Sequence, residues 1–234
     1  MNQIRRIFYK IIQSSVIKMT QYRAVQGRIL MLHQIGREKD EFSITPEEFE
    51  SLALVLNSKH TIRLEEWEKE DDFYALTIDD VPEGFYLYAF PILQKYQIPF
   101  TIFVSISFLN AEGYISTKQL LEMSNSDLCT VGSHGVRHEE YYKLDGKDIA
   151  NDLKESKRKL SELIGKPVEL FAYPYGSYYA CGLKNKKQVL DVYKYGFGTA
   201  KCPITKPLVL PKYFLPRINV DTTYIETLQK NEEI

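Results

Sequence analysis

Three short apolar runs in this chain each end in side chains that can do chemistry. Ala75-Leu-Thr-Ile78 leads into Asp79-Asp80. Val131-Gly-Ser133 leads into His134 and, four residues on, His138. Phe171-Ala172 leads into Tyr173-Pro-Tyr175-Gly176. Neighbouring side chains on a strand point to opposite faces, but where a strand ends the chain turns and two neighbours can reach one site. Two adjoining carboxylates can then divide labour: a cation bound by one holds it ionised, and the other is left to act as a base. An Asp-Asp turn capping a following helix would use the same residues. On a helical turn, the spacing of His134 and His138 brings both rings to one side, as two imidazoles sharing one metal require. Chance histidine pairs occur, but the chain holds only 4 His, and this pair sits at a strand end. With Asp80 they make a two-His, one-carboxylate set with positions left for water, the pattern of catalytic rather than structural zinc. The expected cofactor is a divalent cation, Zn2+ first. Fe(II) of a non-haem oxygenase suits the same ligands, though such sites usually lie in double-sheet folds.

These groups need a frame that gathers strand ends. Arg28–Leu32, Tyr74–Ile78, Phe100–Val104, Leu128–Val131, Val168–Tyr173 and Phe214–Val220 read as strands. Between them, Thr45 with Glu48 three residues on forms a capping box opening a helix through Leu56. Further helices are expected at Glu83–Tyr96, at Lys147–Ile164 ending on Gly165, and at Lys186–Tyr195 stopped by Gly196. Alternation of this kind implies parallel βαβ units. About seven units in one domain point to a closed or nearly closed α/β barrel, with an open doubly wound sheet as the alternative. In such barrels the working residues come from the C-terminal strand ends. Ile4, Ile7, Phe8, Ile11 and Ile12 recur at helical spacing, with Arg5, Arg6 and Lys10 elsewhere on the wheel. The chain therefore divides into a basic amphipathic segment, 1–24, and one catalytic domain, 25–234.

Composition excludes some partners. Lys and Arg total 30 against 31 Asp and Glu, a formal net charge of -1, so no global field exists to hold nucleic acid. Aromatic residues make up 13%, which suits stacking on sugars, although most must be core. Cys129, Cys181 and Cys202 form no CxxC pair and are expected as inert, partly buried thiols. No stretch approaches the length of a membrane span, and the N-terminal run broken by Arg5, Arg6, Lys10 and Lys18 does not read as a signal peptide. A cytoplasmic location is expected. Residues 4–19 either rest on the inner membrane face or, the favoured reading, dock on the domain itself.

Thr77-Ile78-Asp79-Asp80, Ser133-His134-Gly-Val-Arg-His138 and Tyr173-Pro174-Tyr175-Gly176 resemble, in order and spacing, the first three motifs of the NodB-homology polysaccharide deacetylases, carbohydrate esterase family 4. The likeness spans roughly residues 28–220, and Ile44–Phe49 looks like the segment leading into this domain in bacterial members. The resemblance implies a deformed (β/α) barrel of about seven strands. It makes Asp79 the general base, Asp80, His134 and His138 the metal ligands, and Tyr175 the donor of a backbone N–H to the oxyanion. Four departures stand out. Val81-Pro82 follows the Asp pair where many members have Gly. Ala172 stands where an Arg is expected, two residues before Pro174. Trp67, the sole Trp, is far from the fourth motif. Leu215-Pro-Arg217-Ile-Asn219 replaces a late Leu-x-His.

For the missing acid, His33 at the end of the first strand resembles the early histidine of the poly-N-acetylglucosamine branch, and imidazole is a sound proton donor near neutral pH. Arg217 is a candidate to pair with Asp79 in place of the absent Arg, unless it makes only an ordinary strand-end salt bridge. Tyr173, Tyr175, Tyr178 and Tyr179 are candidates to line a sugar groove, with at least one in the core. The reading is metal-dependent hydrolytic deacetylation of an N-acetylhexosamine in a polysaccharide, oligosaccharide or glycolipid precursor. A carbohydrate-binding member without turnover is the alternative.

Overall fold

A computed structural model describes residues 3–36, 43–182 and 187–230. Helix α1 (Gln3–Thr20) leads into strand β1 (Ala24–Leu32), and a short parallel pair follows, β2 (Gln34–Ile35) with β3 (Ser43–Ile44). Thr45 caps α2 (Pro46–Ser58) as its sequence signature requires: its hydroxyl accepts from Glu48 N–H at 3.2 Å, and the Glu48 carboxylate accepts from Thr45 N–H at 2.8 Å. After β4 (Phe73–Asp79) the expected helix starts as a wide turn, Phe85–Ala89, and becomes α3 only at Phe90–Tyr96. Pro91 has no N–H for the usual i−4 carbonyl, and Phe90 N–H reaches back to Phe85 O instead.

Strand β5 (Phe100–Val104) precedes α4 (Thr117–Ser124), a helix absent from the sequence reading although Ser116 and Gln119 cap it reciprocally. β6 (Cys129–Ser133) and α5 (Gly146–Ile164) follow, the latter ended by Gly165 in the left-handed region at φ 67. Then come β7 (Leu170–Ala172), α6 (Gln188–Val192), β8 (Tyr195–Phe197), β9 (Ile204–Lys206), β10 (Ile218–Asn219) and α7 (Thr222–Lys230). Gly196 thus lies inside a strand rather than stopping a helix. Lys186, the expected helix start, is outside the described residues. The expected strand Phe214–Val220 is regular only at Ile218–Asn219, because Pro216 has no ladder donor.

Among the described residues, parallel strands run in the order β10-β1-β4-β5-β6-β7-β8, and β9 joins β1 antiparallel. The segment around β10 touches both edges. Leu215 bridges Phe197 of β8, with Leu215 N–H on Gly196 O at 2.7 Å, while Ile218 pairs with Leu30 of β1. That double attachment curls the sheet into the expected deformed barrel. Period-2 alternation splits the core: Tyr74, Leu76 and Ile78 face the helices, whereas Phe73 and Ala75 face the interior with Phe103, Leu170, Ala172, Phe197 and Leu215. The C-terminal strand ends stand level, with Leu32 opposite Ile78, Asp79 opposite Phe103, and Ser133 opposite both Val104 and Phe171.

All three cysteines are buried free thiols, and among the described residues no helix is long and apolar enough to cross a membrane. On α1, Val16 and Ile17 pack on the main core, while Ile7 and Ile11 are exposed. The side chains of Ile4, Phe8 and Ile12 lie outside the described set, so the expected apolar stripe is not established.

Candidate active site

Asp79 continues the inward face of β4 after Phe73, Ala75 and Thr77, which carries its carboxylate to the barrel mouth from inside. There it meets Arg217 in a buried two-pronged pair: Nη1 donates to Oδ1 at 2.6 Å and Nη2 to Oδ2 at 2.7 Å. The guanidinium also donates to Gly198 O and to Thr77 Oγ1, each at 3.2 Å, and lies 5.2 Å over the Phe103 ring. Burial pushes the Asp79 pKa up, but the charge and hydrogen bonds of Arg217, helped by His134 and His33, outweigh it and hold the group at about 2. Asp79 is a permanent anion at neutral pH.

The turn after Asp79 is strained. Asp80 and Val81 both sit at positive φ, 62 and 54, and for a β-branched residue such as Val81 that is a true outlier. This bend is what lets consecutive aspartates serve one site. Asp80 Oδ1 points at His138 Nε2 (3.2 Å) and His134 Nε2 (3.6 Å), and the three donor atoms lie within 4.8 Å of one another. His134 Nδ1 bonds Ala172 O at 2.8 Å, so the proton sits there and the Nε2 lone pair faces inward.

The histidine spacing does not work as a helical turn. Residues 134–140 form a loop, with Gly135 at φ 80 and His138 at φ 53 folding one ring back beside the other, 5.0 Å between centroids. Asp152 of α5 braces that loop: its Oδ1 accepts from Val136 N–H at 3.0 Å and its Oδ2 from the Tyr141 hydroxyl at 2.8 Å.

The donors suit a divalent cation. Burial lowers the His134 pKa to about 3 and also lowers that of His138, in each case against the attraction of Asp79, so both imidazoles are neutral with free lone pairs. Burial and then the Asp79 charge raise Asp80 to about 7, with Arg217 opposing. Among the described residues, Asp80 Oδ1 is a buried oxygen with no hydrogen-bond donor. A buried acceptor left unsatisfied beside two inward lone pairs is what a cation relieves.

A family model for polysaccharide deacetylase matches residues 67–191, more than half of the chain. The chain belongs to the polysaccharide deacetylase family. It is a hydrolase of N-acetyl amide bonds in polysaccharide, carbohydrate esterase family 4. Similar proteins include poly-beta-1,6-N-acetyl-D-glucosamine N-deacetylases of Staphylococcus aureus (27% identical over 221 residues, 83% of this chain and 73% of the relative) and of Staphylococcus epidermidis (29% over 217 residues, 83% and 74%). The fold resembles the Streptococcus pyogenes deacetylase PplD in complex with acetate (TM-score 0.78, 22% identity, 88% of this chain and 98% of that one). It also resembles IcaB from Ammonifex degensii (0.71, 24%, 87% and 98%).

In this deacetylase the departures from pattern have local answers. Ala172 faces the interior, where the guanidinium arriving from Arg217 supplies the missing cation. Tyr173 is not in a groove: the alternation that turns Ala172 inward turns Tyr173 outward into the helix-side core at 2% exposure, so its side chain is no substrate contact. Tyr175, at φ 60 and 58% exposed, lies 4.7 Å from the His138 ring. Tyr178 packs on Phe214 and Tyr179 on Tyr142, each 4.2 Å between centroids. His33 follows β1 on the same mouth; burial lowers its pKa, with Asp79 opposing and Arg217 reinforcing. Trp67 is buried in the interior cluster, away from any groove.

Sequence reasoning missed Asp152, Phe108 and Tyr114. Asp152 carried no signal beyond a polar position in the α5 repeat, and the two rings lie on a loop with no periodicity.

Proposed function

We propose that this deacetylase is metal-dependent, that Asp80, His134 and His138 hold the cation, Zn2+ first, and that its substrate is a poly-N-acetylglucosamine like that named for the staphylococcal relatives. The carrying observation is the convergence of one unsatisfied carboxylate oxygen and two neutral imidazole nitrogens within 4.8 Å. When bound, the cation polarises the acetamide carbonyl and acidifies a water.

The rest falls to the chain. Asp79 takes the proton of the attacking water, although at about 2 it is a weak base, so transfer must accompany C–O bond formation. The Tyr175 N–H, which has no partner among the described residues, donates to the oxyanion. His33 gives a proton to the departing amine as the C–N bond breaks; burial lowers its pKa, so its protonated form is more acidic than free imidazolium, while the nearby Asp79 charge favours that form. Water and amide thus yield acetate and a free amine. The Arg217 pair, which keeps Asp79 ionised and fixed, favours turnover over a role limited to glycan binding.

Acetate release from N-acetylglucosamine oligomers tests the reading: it should stop with a chelator, return with zinc, and be lost in Asp79→Asn. A zinc-loaded, folded protein inactive on these sugars would count against it. The exposed Ile7 and Ile11 further support contact of residues 4–19 with an anionic inner membrane face. Equal co-sedimentation with anionic liposomes by the full chain and by one starting at Tyr22, which keeps β1 whole, would dispose of that contact.

A further inference from the structure

The connection from β5 to α4, residues 105–116, is bonded on both sides to the loops that carry the three ligands. Toward the histidine loop, Ile106 N–H donates to Gly135 O at 3.2 Å and Ser107 N–H to Val136 O at 2.8 Å. Toward the aspartate turn, Glu83 N–H donates to Gly113 O at 2.9 Å, Ile115 N–H to Val81 O at 3.3 Å, and Tyr114 bridges Pro82. Two rings ride on this connection. Phe108 and Tyr114 stack at 4.4 Å and 22°, and Phe108 lies 5.1 Å from the His138 ring. Both are only half-buried, so each keeps ring surface for a ligand. No step assigned above uses them.

An aromatic pair held this way has little freedom left to lose on binding. Its position is specific as well: it adjoins a metal ligand on the rim opened by the strand ends. A pyranose presents an apolar face of C–H groups, which aromatic rings cover well. The sole Trp is buried elsewhere, so another ring must supply any stacking surface here.

We propose that Phe108 and Tyr114 form a stacking subsite for a pyranose ring of the glycan, either the sugar carrying the acetamide or its immediate neighbour. This rests on the polysaccharide reading above. The test measures kcat and KM for acetate release from N-acetylglucosamine and its tetramer, with zinc affinity of each variant by calorimetry. Phe108→Ala and Tyr114→Ala should raise KM for the tetramer about tenfold, the size of a lost stacking contact. Tyr114→Phe, which keeps the ring, should stay near wild type, and zinc affinity should hold within about twofold, a margin well under 1 kcal/mol.

A matching rise for the monosaccharide places the acetylated sugar on the rings; a rise for the tetramer alone places its neighbour there. Unchanged KM on both sugars overturns the subsite. Zinc affinity that falls in step with activity overturns it too, since the rings would then only prop the ligand loops. Wild-type protein inactive on both sugars is a different failure, that of the substrate reading itself.

Discussion

Removing the Arg217 guanidinium isolates the strongest electrostatic dependence in the barrel. Arg217 is fully buried and binds both oxygens of an equally buried Asp79. Arg217→Met keeps much of the stem and deletes the charge, leaving an unpaired carboxylate in a low-dielectric interior. Breaking such a pair costs about 3–5 kcal/mol, a large part of a total stability of about 5–15 kcal/mol. In the native pair, Asp79 is lowered from 3.8 to about 2. At about 1.4 kcal/mol per unit, that is about 2 kcal/mol of stability, present above pH 4 and lost as pH falls through 2. In the variant the sign reverses. Burial now prevails and raises the Asp79 pKa, so the folded state binds a proton that the unfolded state has released, and the deficit grows as pH rises above 4.

Urea unfolding of chelator-treated protein at pH 7 and pH 4.5 reads both effects. The single variant should lose at least 3 kcal/mol at pH 7 and clearly less at pH 4.5. Asp79→Asn with Arg217→Met should recover part of the loss, because no charge is left stranded. A loss under about 1 kcal/mol at pH 7, or a deficit independent of pH, would refute the reasoning.

Zinc affinity should rise about tenfold per pH unit just below pH 7 and then flatten, because Asp80, raised to about 7, must release one proton while burial favours the neutral form of both imidazoles; calorimetry in buffers of differing ionisation heat that found no proton release near pH 7 would contradict it. Asp152→Ala should weaken zinc binding about 10–100-fold, as loss of a supporting partner commonly does, and Asp152→Asn, which can still accept from Val136 N–H, should recover most of it; equal loss in both would assign the effect to charge instead. Tyr173→Phe should leave KM unchanged and stability equal or up to about 1 kcal/mol higher, since its buried hydroxyl has no partner among the described residues; a raised KM would restore it to the groove.

The parts of this fold legible in sequence were those with a local cause. Thr45 with Glu48 set the start of α2, Gly165 the end of α5, and apolar alternation the inward face that carries Asp79. The same capping logic was present at Ser116 and Gln119 and would have found α4. The identity of the candidate ligands was legible because two strand ends, those of β4 and β6, carried the donors. Their geometry was not, since the HxxxH segment closes through left-handed backbone at Gly135 and His138 rather than a helical turn. The pairing of Arg217 with Asp79 was a candidate from the Arg missing at Ala172, and the structure forms it; the route was not legible, since the double attachment of residues 215–219 to β8 and β1 is what brings it to a carboxylate 138 positions earlier in the chain. Tyr173 shows the limit of motif reading, as its neighbour Ala172 faces the interior and it therefore cannot.

X-ray absorption at the zinc edge addresses the central assembly most directly. Protein loaded with one equivalent should show two imidazole scatterers with the remainder oxygen, dropping to one imidazole in His138→Ala and unaffected by removal of any cysteine. Sulfur in the coordination shell, or a spectrum unchanged by His138→Ala, would contradict the account.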